Sequence, residues 1–204
     1  MRLPLPVPTM PLVPLKLLLV DTTADRRLGL LEALQALGHE VVGVLTSMHD
    51  LDLQVRALAP DIVLIEADSP DRDTLEHLAV AMAGAPRPVV FGAGSDDPDF
   101  IRAAVRAGVS AYVVDGIGDA RLEPILTEAV ARFETMQVLR EERDQALAAV
   151  EQRKVIERAK GIVMRERRCD EDTAFRMLRK LSQERGMKLH ELAAQLIAAA
   201  GHLQ

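Results

Sequence analysis

The sequence predicts an α/β domain with a doubly wound parallel sheet, then a long helix that leads into a small all-α module. Over the first 130 residues, five short apolar runs alternate with segments of helical spacing, the pattern of a parallel sheet covered by helices. From 123 to about 168 almost no helix breaker occurs before Gly161, and two more segments of helical spacing follow. A length of 204 residues fits two domains of ordinary size.

The first predicted strand, 15–20, is apolar apart from Lys16, as expected for a strand buried on both faces. The other predicted elements are, in chain order, helix 25–37, strand 40–45, helix 51–58, strand 61–66, helix 73–82, strand 88–91, helix 99–107 and strand 111–114. Functional side chains in such sheets gather where the strands end, so the candidates at that edge are Asp21, Glu66, Ala93 and Asp115.

The composition excludes several classes of protein. The single cysteine, Cys169, excludes an internal disulfide framework and fits a reducing cytoplasm. No apolar run reaches the roughly 18 residues of a membrane span. The five histidines lack metal-ligand spacing, so neither a metal nor a cofactor is predicted. Five prolines within residues 1–14 predict a disordered arm and argue against a signal peptide.

One region of this acidic chain is basic. Residues 153–188 contain 12 Lys and Arg against 6 Asp and Glu, a local net charge of +6 in a chain of net charge −6. A basic region inside an acidic protein indicates a polyanionic partner. A solvated run of charges is the alternative interpretation.

Helical spacing within this region separates two faces of the first helix. Val155, Ile156, Ala159, Ile162 and Val163 share an apolar stripe, whereas a second face contains Lys154, Arg158, Gly161 and Arg165. A glycine inside a helix costs about 1 kcal/mol relative to alanine. Among three cations, Gly161 would leave space for the close approach of a phosphate backbone or a base. The alternative is that Gly161 permits close helix packing.

Two shorter helices follow this one. Asp170 is the predicted N-cap of the second helix, and Gly186 ends it. Its apolar stripe is Ala174, Met177, Leu178 and Leu181, away from which lie Arg176, Arg179 and Lys180. The third helix, about 189–200, is predicted to bury Leu189, Leu192, Ala193, Leu196 and Ile197.

The stretch 156–164, the pairs Ala174-Phe175 and Leu178-Arg179, and the stretch 189–197 resemble the ANTAR domain, the RNA-binding output module of bacterial transcription antiterminators. The resemblance implies binding of paired hairpins in leader mRNA, which prevents terminator formation. The implied RNA-binding residues are Lys154, Arg158, Lys160, Gly161, Arg165, Arg176, Arg179 and Lys180. Phe175 is the module's only aromatic residue and is expected at the edge of the core, so no aromatic stacking platform is expected.

Residues of about 15–130 resemble the flavodoxin-like (βα)5 receiver domain of two-component response regulators. That family needs two acidic residues after the first strand, an aspartate after the third, a Ser or Thr after the fourth and a lysine after the fifth. The corresponding residues here are Asp21, Thr22, Glu66, Ala93 and Asp115. A two-residue shift after the fourth strand would offer Ser95 instead. The resemblance therefore implies a pseudo-receiver without magnesium-dependent phosphoryl transfer, in which Glu66 is either a fixed charge or a solvated acid.

The long helix carries a stripe with a spacing near 3.5 residues: Leu122, Leu126, Ala129, Phe133, Met136, Leu147 and Val150. This spacing favours a dimerising coiled coil. A helix packed within one monomer is the alternative, because spacing alone does not distinguish the two. The predicted division is a proline-rich arm at 1–14, a receiver-like domain at 15–130, a coiled-coil linker at 131–152 and an ANTAR module at 153–204.

Both halves together, including the stretches 67–76 and 108–114, resemble the AmiR/NasT family of antiterminators. The resemblance implies a cytoplasmic homodimer that controls nitrate or nitrite assimilation genes and is regulated by a NasS-like nitrate-sensing protein. Glu66 departs from the aspartate that this family usually keeps.

Three competing hypotheses remain. A DNA-binding response regulator would concentrate its basic residues on one recognition helix, whereas here they spread over two. An enzyme is not predicted, because no nucleophile–base pair, metal set or Gly-rich phosphate loop occurs in the sequence. A pure interaction coiled coil would leave the basic faces unexplained.

Overall fold

A computed structural model describes residues 13–22, 27–67, 72–118 and 121–201. The first twelve residues of the predicted arm lie outside this range. The chain divides into two units, Met1–Met136 and Gln137–Gln204. None of the helices in the described ranges is long and apolar enough to cross a membrane.

The first unit contains the predicted five-stranded parallel sheet, in the order β2-β1-β3-β4-β5. The strands are β1 Lys16–Asp21, β2 Glu40–Leu45, β3 Ile62–Ala67, β4 Val89–Ala93 and β5 Ala111–Val114. The helices between them are α1 Arg27–Ala36, α2 Leu51–Leu58, α3 Arg72–Gly84 and α4 Pro98–Ala107. The flavodoxin-like α/β prediction is confirmed, and the strand ends differ from prediction by at most two residues.

Two apolar layers enclose this sheet because successive side chains of a strand point to opposite faces. Leu18 and Val20 of β1 pack in a layer with residues of α2, α3 and α4. Leu17 and Leu19 pack in the other layer, with α1 and the first turns of the long helix. The β1, β3 and β4 strands lie between both layers, which explains their continuous apolar sequence.

The register brings the predicted edge residues together where the strands end. Asp21 lies opposite Glu66, and Glu66 lies opposite Gly92 on the next strand. Ala93 pairs in turn with Val114, the residue before Asp115. These neighbours form the candidate pocket of the first unit.

The long helix α5 runs from Leu122 to Arg167 and crosses the boundary between the two units. In the second unit it is followed by α6 Glu171–Glu184 and α7 Leu189–Gly201. The buried core of this unit is Ala159, Leu178, Leu192 and Ala193, with partly buried residues of all three helices around it. The predicted core residues of α7 are all in this cluster.

The structure corrects two predicted apolar stripes. Met177 is 42% exposed and does not belong to the core of the second unit. The stripe of α5 divides: Leu122, Leu126 and Ala129 are buried in the first unit, whereas Met136, Leu147 and Val150 are exposed. Packing within the monomer therefore explains only the first part of the stripe.

Candidate functional site

The basic face of α5 consists of Lys154, Arg158 and Arg165, all exposed, with Gly161 among them. A Cβ atom added at Gly161 would meet no atom within 4 Å among the described residues. Close helix packing within the chain therefore does not explain this glycine. The exposed backbone at Gly161, which has no side chain, therefore lies between the cations of this face, as the sequence predicted.

Helix α6 adds Arg176, Arg179 and Lys180, which are also exposed. Asp170 caps this helix, because its carboxylate accepts a hydrogen bond from the Thr173 backbone N–H at 2.7 Å. Hydrogen bonds from the Thr173 side chain and then from its backbone N–H lower the pKa of the Asp170 carboxyl. The confirmed cap sets where α6 begins, and so where its arginines lie along the helix.

Few of these cations are held by acidic neighbours. Lys154 pairs with Glu151 at 2.7 Å and Lys180 with Glu184 at 3.7 Å, both exposed pairs of the kind that contributes little. Within the described ranges, no ion pair involves the predicted contacts Arg158, Arg165 and Arg179. The arginine side chains are therefore available to an external polyanion.

Lys160 differs from the other predicted RNA-binding residues. Its side chain is only 9% exposed, and its ammonium lies 2.7 Å from the Glu157 carboxylate and 2.6 Å from the Glu171 carboxylate. Hydrogen bonds to Glu157 and then Glu171 raise the pKa of Lys160. The pair with Glu171 joins α5 to the first turn of α6. The structure therefore does not place Lys160 on the exposed basic face.

Phe175 lies beside Lys160, whose ammonium is 5.9 Å from the ring centroid. The residue is 37% exposed and is not part of the core of the second unit. The sequence predicts this ring at the edge of the core, and its partial exposure agrees with that position. The adjacent face of α6 is buried through Ala174 and Leu178.

In the first unit, the Asp21 carboxylate is buried and forms an ion pair with Arg27, at 3.1 Å between Oδ2 and Nε. The Arg27 guanidinium also donates to the Asp21 backbone carbonyl at 3.0 Å. The sequence analysis did not identify Arg27. The available signal was a basic residue in the first turn of the helix that follows a strand-end aspartate.

The Glu66 side chain is buried, and its Oε1 accepts a hydrogen bond of 2.7 Å from the Ile117 backbone N–H. Gly92 makes room for it, since an added Cβ there would lie 2.8 Å from Glu66 Cδ. The interpretation of Glu66 as a solvated acid is therefore wrong. Its carboxylate crosses β4 and holds the loop after β5.

The other pocket positions also lack the receiver chemistry. Ala93 is buried and has no hydroxyl, and the Ser95 hydroxyl two residues later accepts a bond from the Asp97 N–H at 3.3 Å. Thr22 donates its hydroxyl to the Glu66 backbone carbonyl at 3.3 Å. Asp115, in a left-handed conformation with φ of 65°, places an anion where receivers have a lysine.

A receiver holds magnesium with several carboxylate oxygens. Here the Asp21 carboxylate is in an ion pair with Arg27, and the Glu66 carboxylate accepts a hydrogen bond from the Ile117 N–H. The two carboxylates therefore do not fit a divalent cation. Across the described ranges, no group of three or more His, Cys, Asp or Glu residues could hold a metal ion.

Comparison with known families assigns the second unit. Residues 144–197 match the ANTAR domain family. The chain carries an ANTAR domain. Its α5, α6 and α7 segments supply the exposed cations and the core described above. The match begins before 153, and the predicted boundaries at 131 and 153 stay predictions.

The chain is also similar over most of its length to a transcriptional regulatory protein. It is 26% identical over 189 residues to the transcriptional regulatory protein PdtaR of Mycobacterium tuberculosis, as found in strains CDC 1551 / Oshkosh and H37Rv. The alignment covers 93% of this chain and 92% of that protein.

Solved structures show the receiver-like fold. The chain is similar to the signal receiver domain of a modulated diguanylate cyclase from Desulfovibrio desulfuricans G20, with a TM-score of 0.54, 22% identity and coverage of 61% of this chain and 99% of that one. It is also similar to a CheY-like receiver domain protein from Methanospirillum hungatei JF-1, with a TM-score of 0.53, 18% identity and coverage of 61% and 99%. The ANTAR domain thus follows a receiver-like domain.

Proposed function

We propose that this protein is a transcription antiterminator whose ANTAR domain binds hairpins in leader mRNA. The observation that carries the proposal is the exposed basic face of α5, where Gly161 leaves the backbone uncovered by a side chain between Arg158 and Arg165. Arginines contact phosphate oxygens with paired donors, and an open glycine lets a sugar-phosphate backbone approach closely. The ANTAR match and the homology to a transcriptional regulatory protein support this function.

The uneven distribution of charge along the chain should also influence how nucleic acid associates with it. The acidic remainder of the chain repels nucleic acid, so association should be directed to the basic region 153–188. Binding should therefore weaken steeply with salt, by an amount set by the number of phosphates neutralised.

The experiment compares a pool of synthetic RNA hairpins, with a fixed stem and a randomised loop, against duplex DNA of the same stem sequence. We expect preferential binding of a subset of the hairpins. Arg158→Ala and Arg179→Ala should each weaken it and reduce the salt slope by about 1. Arg106→Ala, which removes an exposed arginine from α4, is the matched control and should change neither quantity. Equal affinity for duplex DNA would favour a DNA-binding regulator.

Substitutions at Gly161 distinguish an effect on helix stability from an effect on RNA binding. Because an added Cβ meets no atom, Gly161→Ala should fold and gain about 1 kcal/mol of helix stability. We expect it to bind hairpins more weakly nonetheless, and Gly161→Glu to bind most weakly. Normal binding by both variants would make Gly161 only structural.

We also propose that the receiver-like domain works without phosphorylation. Support comes from the pairing of Asp21 with Arg27 and of Glu66 with the Ile117 N–H, which occupy the groups that phosphoryl transfer needs. The check is mass spectrometry after treatment with acetyl phosphate and magnesium. A stoichiometric mass increase of one phosphoryl group on this domain would contradict the proposal.

The regulatory partner and the target genes are proposed from sequence resemblance. We propose a homodimer, control by a NasS-like nitrate-sensing protein, and nitrate or nitrite assimilation genes as targets. The resemblance of stretches 67–76 and 108–114 to NasT-like regulators supports this. A leader–reporter transcript whose read-through responds to nitrate only when this chain and the sensor are both present would agree. Read-through that is indifferent to nitrate would refute it.

A further inference from the structure

The ANTAR domain has one partly exposed aromatic side chain that does not belong to its core cluster. Phe175 is 37% exposed, while its neighbours Ala174 and Leu178 are almost completely buried. The core cluster of the second unit does not include Phe175. Single-stranded bases of RNA are recognised by stacking on exposed aromatic rings that are flanked by cations.

The Phe175 ring lies beside a lysine whose own position is fixed by two ion pairs. The Lys160 ammonium lies 5.9 Å from the ring centroid, at a distance typical of a cation held over an aromatic face. Lys160 is itself fixed by the carboxylates of Glu157 and Glu171, at 2.7 and 2.6 Å. A buried and doubly paired ammonium thus holds the ring in place from the protein side.

The outer surroundings of the ring favour nucleic acid. Arg179 is one helical turn after Phe175 on α6, so the two side chains share a face of the helix. Arg179 is exposed and has no ion pair within the described residues. A ring that stacks on a base and an arginine that donates hydrogen bonds to the adjacent phosphate would therefore lie side by side.

We propose that Phe175 is the stacking platform for one unpaired nucleobase of the RNA loop, and that Lys160 is a positioning residue for its ring. This inference rests on the proposed RNA-binding function and makes it more specific. The basic faces hold the phosphates of the stem, and Phe175 distinguishes a hairpin with an unpaired loop from a plain duplex.

The test uses a hairpin selected from the randomised-loop pool and the same stem closed as a blunt duplex RNA. Phe175→Ala should weaken hairpin binding roughly 5- to 150-fold, the effect of losing one stacked base. It should leave the affinity for the duplex and the salt slope unchanged. Phe175→Trp should retain hairpin affinity, whereas Phe175→Leu, which keeps apolar bulk without an aromatic face, should behave like Phe175→Ala.

Met177→Ala is the matched control, because Met177 is an apolar residue of α6 with a similar exposure of 42%. It should change hairpin affinity less than about twofold, since it removes no aromatic face. The thermal melts of the Phe175 and Met177 variants should be alike. An equal loss in Met177→Ala, or a loss in Phe175→Ala that is the same for duplex and hairpin, would overturn the proposal.

Abasic substitutions along the loop identify the contact. At one loop position, removal of the base should weaken wild-type binding and abolish the difference between wild type and Phe175→Ala. If no position does so, the stacking proposal fails. If Arg158→Ala and Arg179→Ala weaken binding while a folded Phe175→Ala does not, stacking fails and RNA binding stands. If the wild-type chain binds no hairpin better than duplex DNA, both fail.

Discussion

At the scale of single residues, Glu66 shows what one additional methylene does in a receiver-like pocket. The longer side chain reaches across β4 to the Ile117 N–H, where a residue with a Cβ in place of Gly92 would obstruct it. The sequence predicted that Glu66 departs from the receiver pattern. It did not predict the route of the carboxylate, because that route depends on a glycine and a loop amide supplied by two other segments.

Lys160 illustrates the same limit in the ANTAR domain. Local charge counting treated it as one of several cations, because the sequence does not reveal that Glu171 of the next helix reaches its ammonium. Arg158 and Arg165 were predicted to be exposed and are exposed, since the apolar stripe of one helix determines its opposite face. Residues at the flank of a stripe, such as Lys160 and Phe175, depend on the neighbouring helix.

His39 provides a residue-scale prediction about pH. It is buried, its Nδ1 accepts the Leu15 N–H at 3.3 Å, and its Nε2 has no partner among the described residues. Burial lowers the pKa of His39, and the Glu123 carboxylate offsets part of this effect. The unfolded chain therefore binds the proton more readily than the folded one. The stabilising contribution is present above the unfolded pKa of about 6.5 and is lost as the pH falls through the folded-state pKa.

The measurement is the melting temperature of the protein between roughly pH 8 and pH 5.5, above the range where most carboxylates titrate. Wild type should lose stability over this interval, and His39→Gln should lose less. His49→Gln replaces an exposed histidine of the same domain and should follow wild type. Parallel curves for wild type and His39→Gln would contradict the assignment.

At the scale of elements, short local signals predicted where helices and strands begin and end. The capping bond of Asp170 and the left-handed Gly108 after α4 are both visible in the sequence as residue types with strong positional preference. The packing of α6 was predicted less well. Met177 fits the apolar spacing but is exposed, because the contact surface of a small three-helix core is narrower than the apolar stripe.

The neighbouring strands β3 and β4 give a prediction about coupling. A Cβ at position 92 would lie 2.8 Å from Glu66 Cδ and 2.9 Å from Oε2. Gly92→Ala should therefore destabilise the receiver-like domain by about 1–3 kcal/mol, the usual penalty for overpacking. In a Glu66→Ala background the same change should cost much less, giving a coupling free energy within the range of about 0.5–3 kcal/mol that contacting residues show.

Chemical denaturation of the four proteins in this cycle measures the coupling. Gly43→Ala supplies a control on another strand, because its added Cβ would meet only side chains of Leu58 and Leu18 and not Glu66. Its penalty should be independent of residue 66. Additive effects of Gly92→Ala and Glu66→Ala would show that the carboxylate does not occupy the space over Gly92.

At the scale of the whole molecule, alternation of strands and helices predicted the receiver-like fold, and the match at 144–197 confirms the ANTAR domain. The oligomeric state is a different kind of question. Hydrophobic spacing predicted one stripe along α5, but Leu126 belongs to the core of the first unit and Leu147 is 59% exposed. A single chain's sequence does not state which part of a stripe meets its own domain and which part meets a second copy.

The exposed part of the stripe predicts a dimer contact. Leu147→Glu and Val150→Glu should shift the protein towards monomer in sedimentation experiments, because they place charges in the apolar seam of a coiled coil. Neither change touches a monomer core, since both residues are more than half exposed. Val138→Glu is the matched control, as Val138 is 54% exposed but lies outside the stripe. A wild-type chain that stays monomeric while bound to two hairpins would contradict the coiled coil.

Helix α5 is secured near both ends, by Leu122 and Leu126 in one core and by Ala159 in the other, whereas every side chain from 138 to 154 is exposed. Isolated helices usually fray at their ends. This one should open from its middle, so amide hydrogen exchange in dilute protein should be fastest near its centre. If two copies pair there, protection of those central amides should increase with protein concentration, while protection at either end should not. Hydrogen exchange along α5 would then identify the residues at which a second copy of the chain binds.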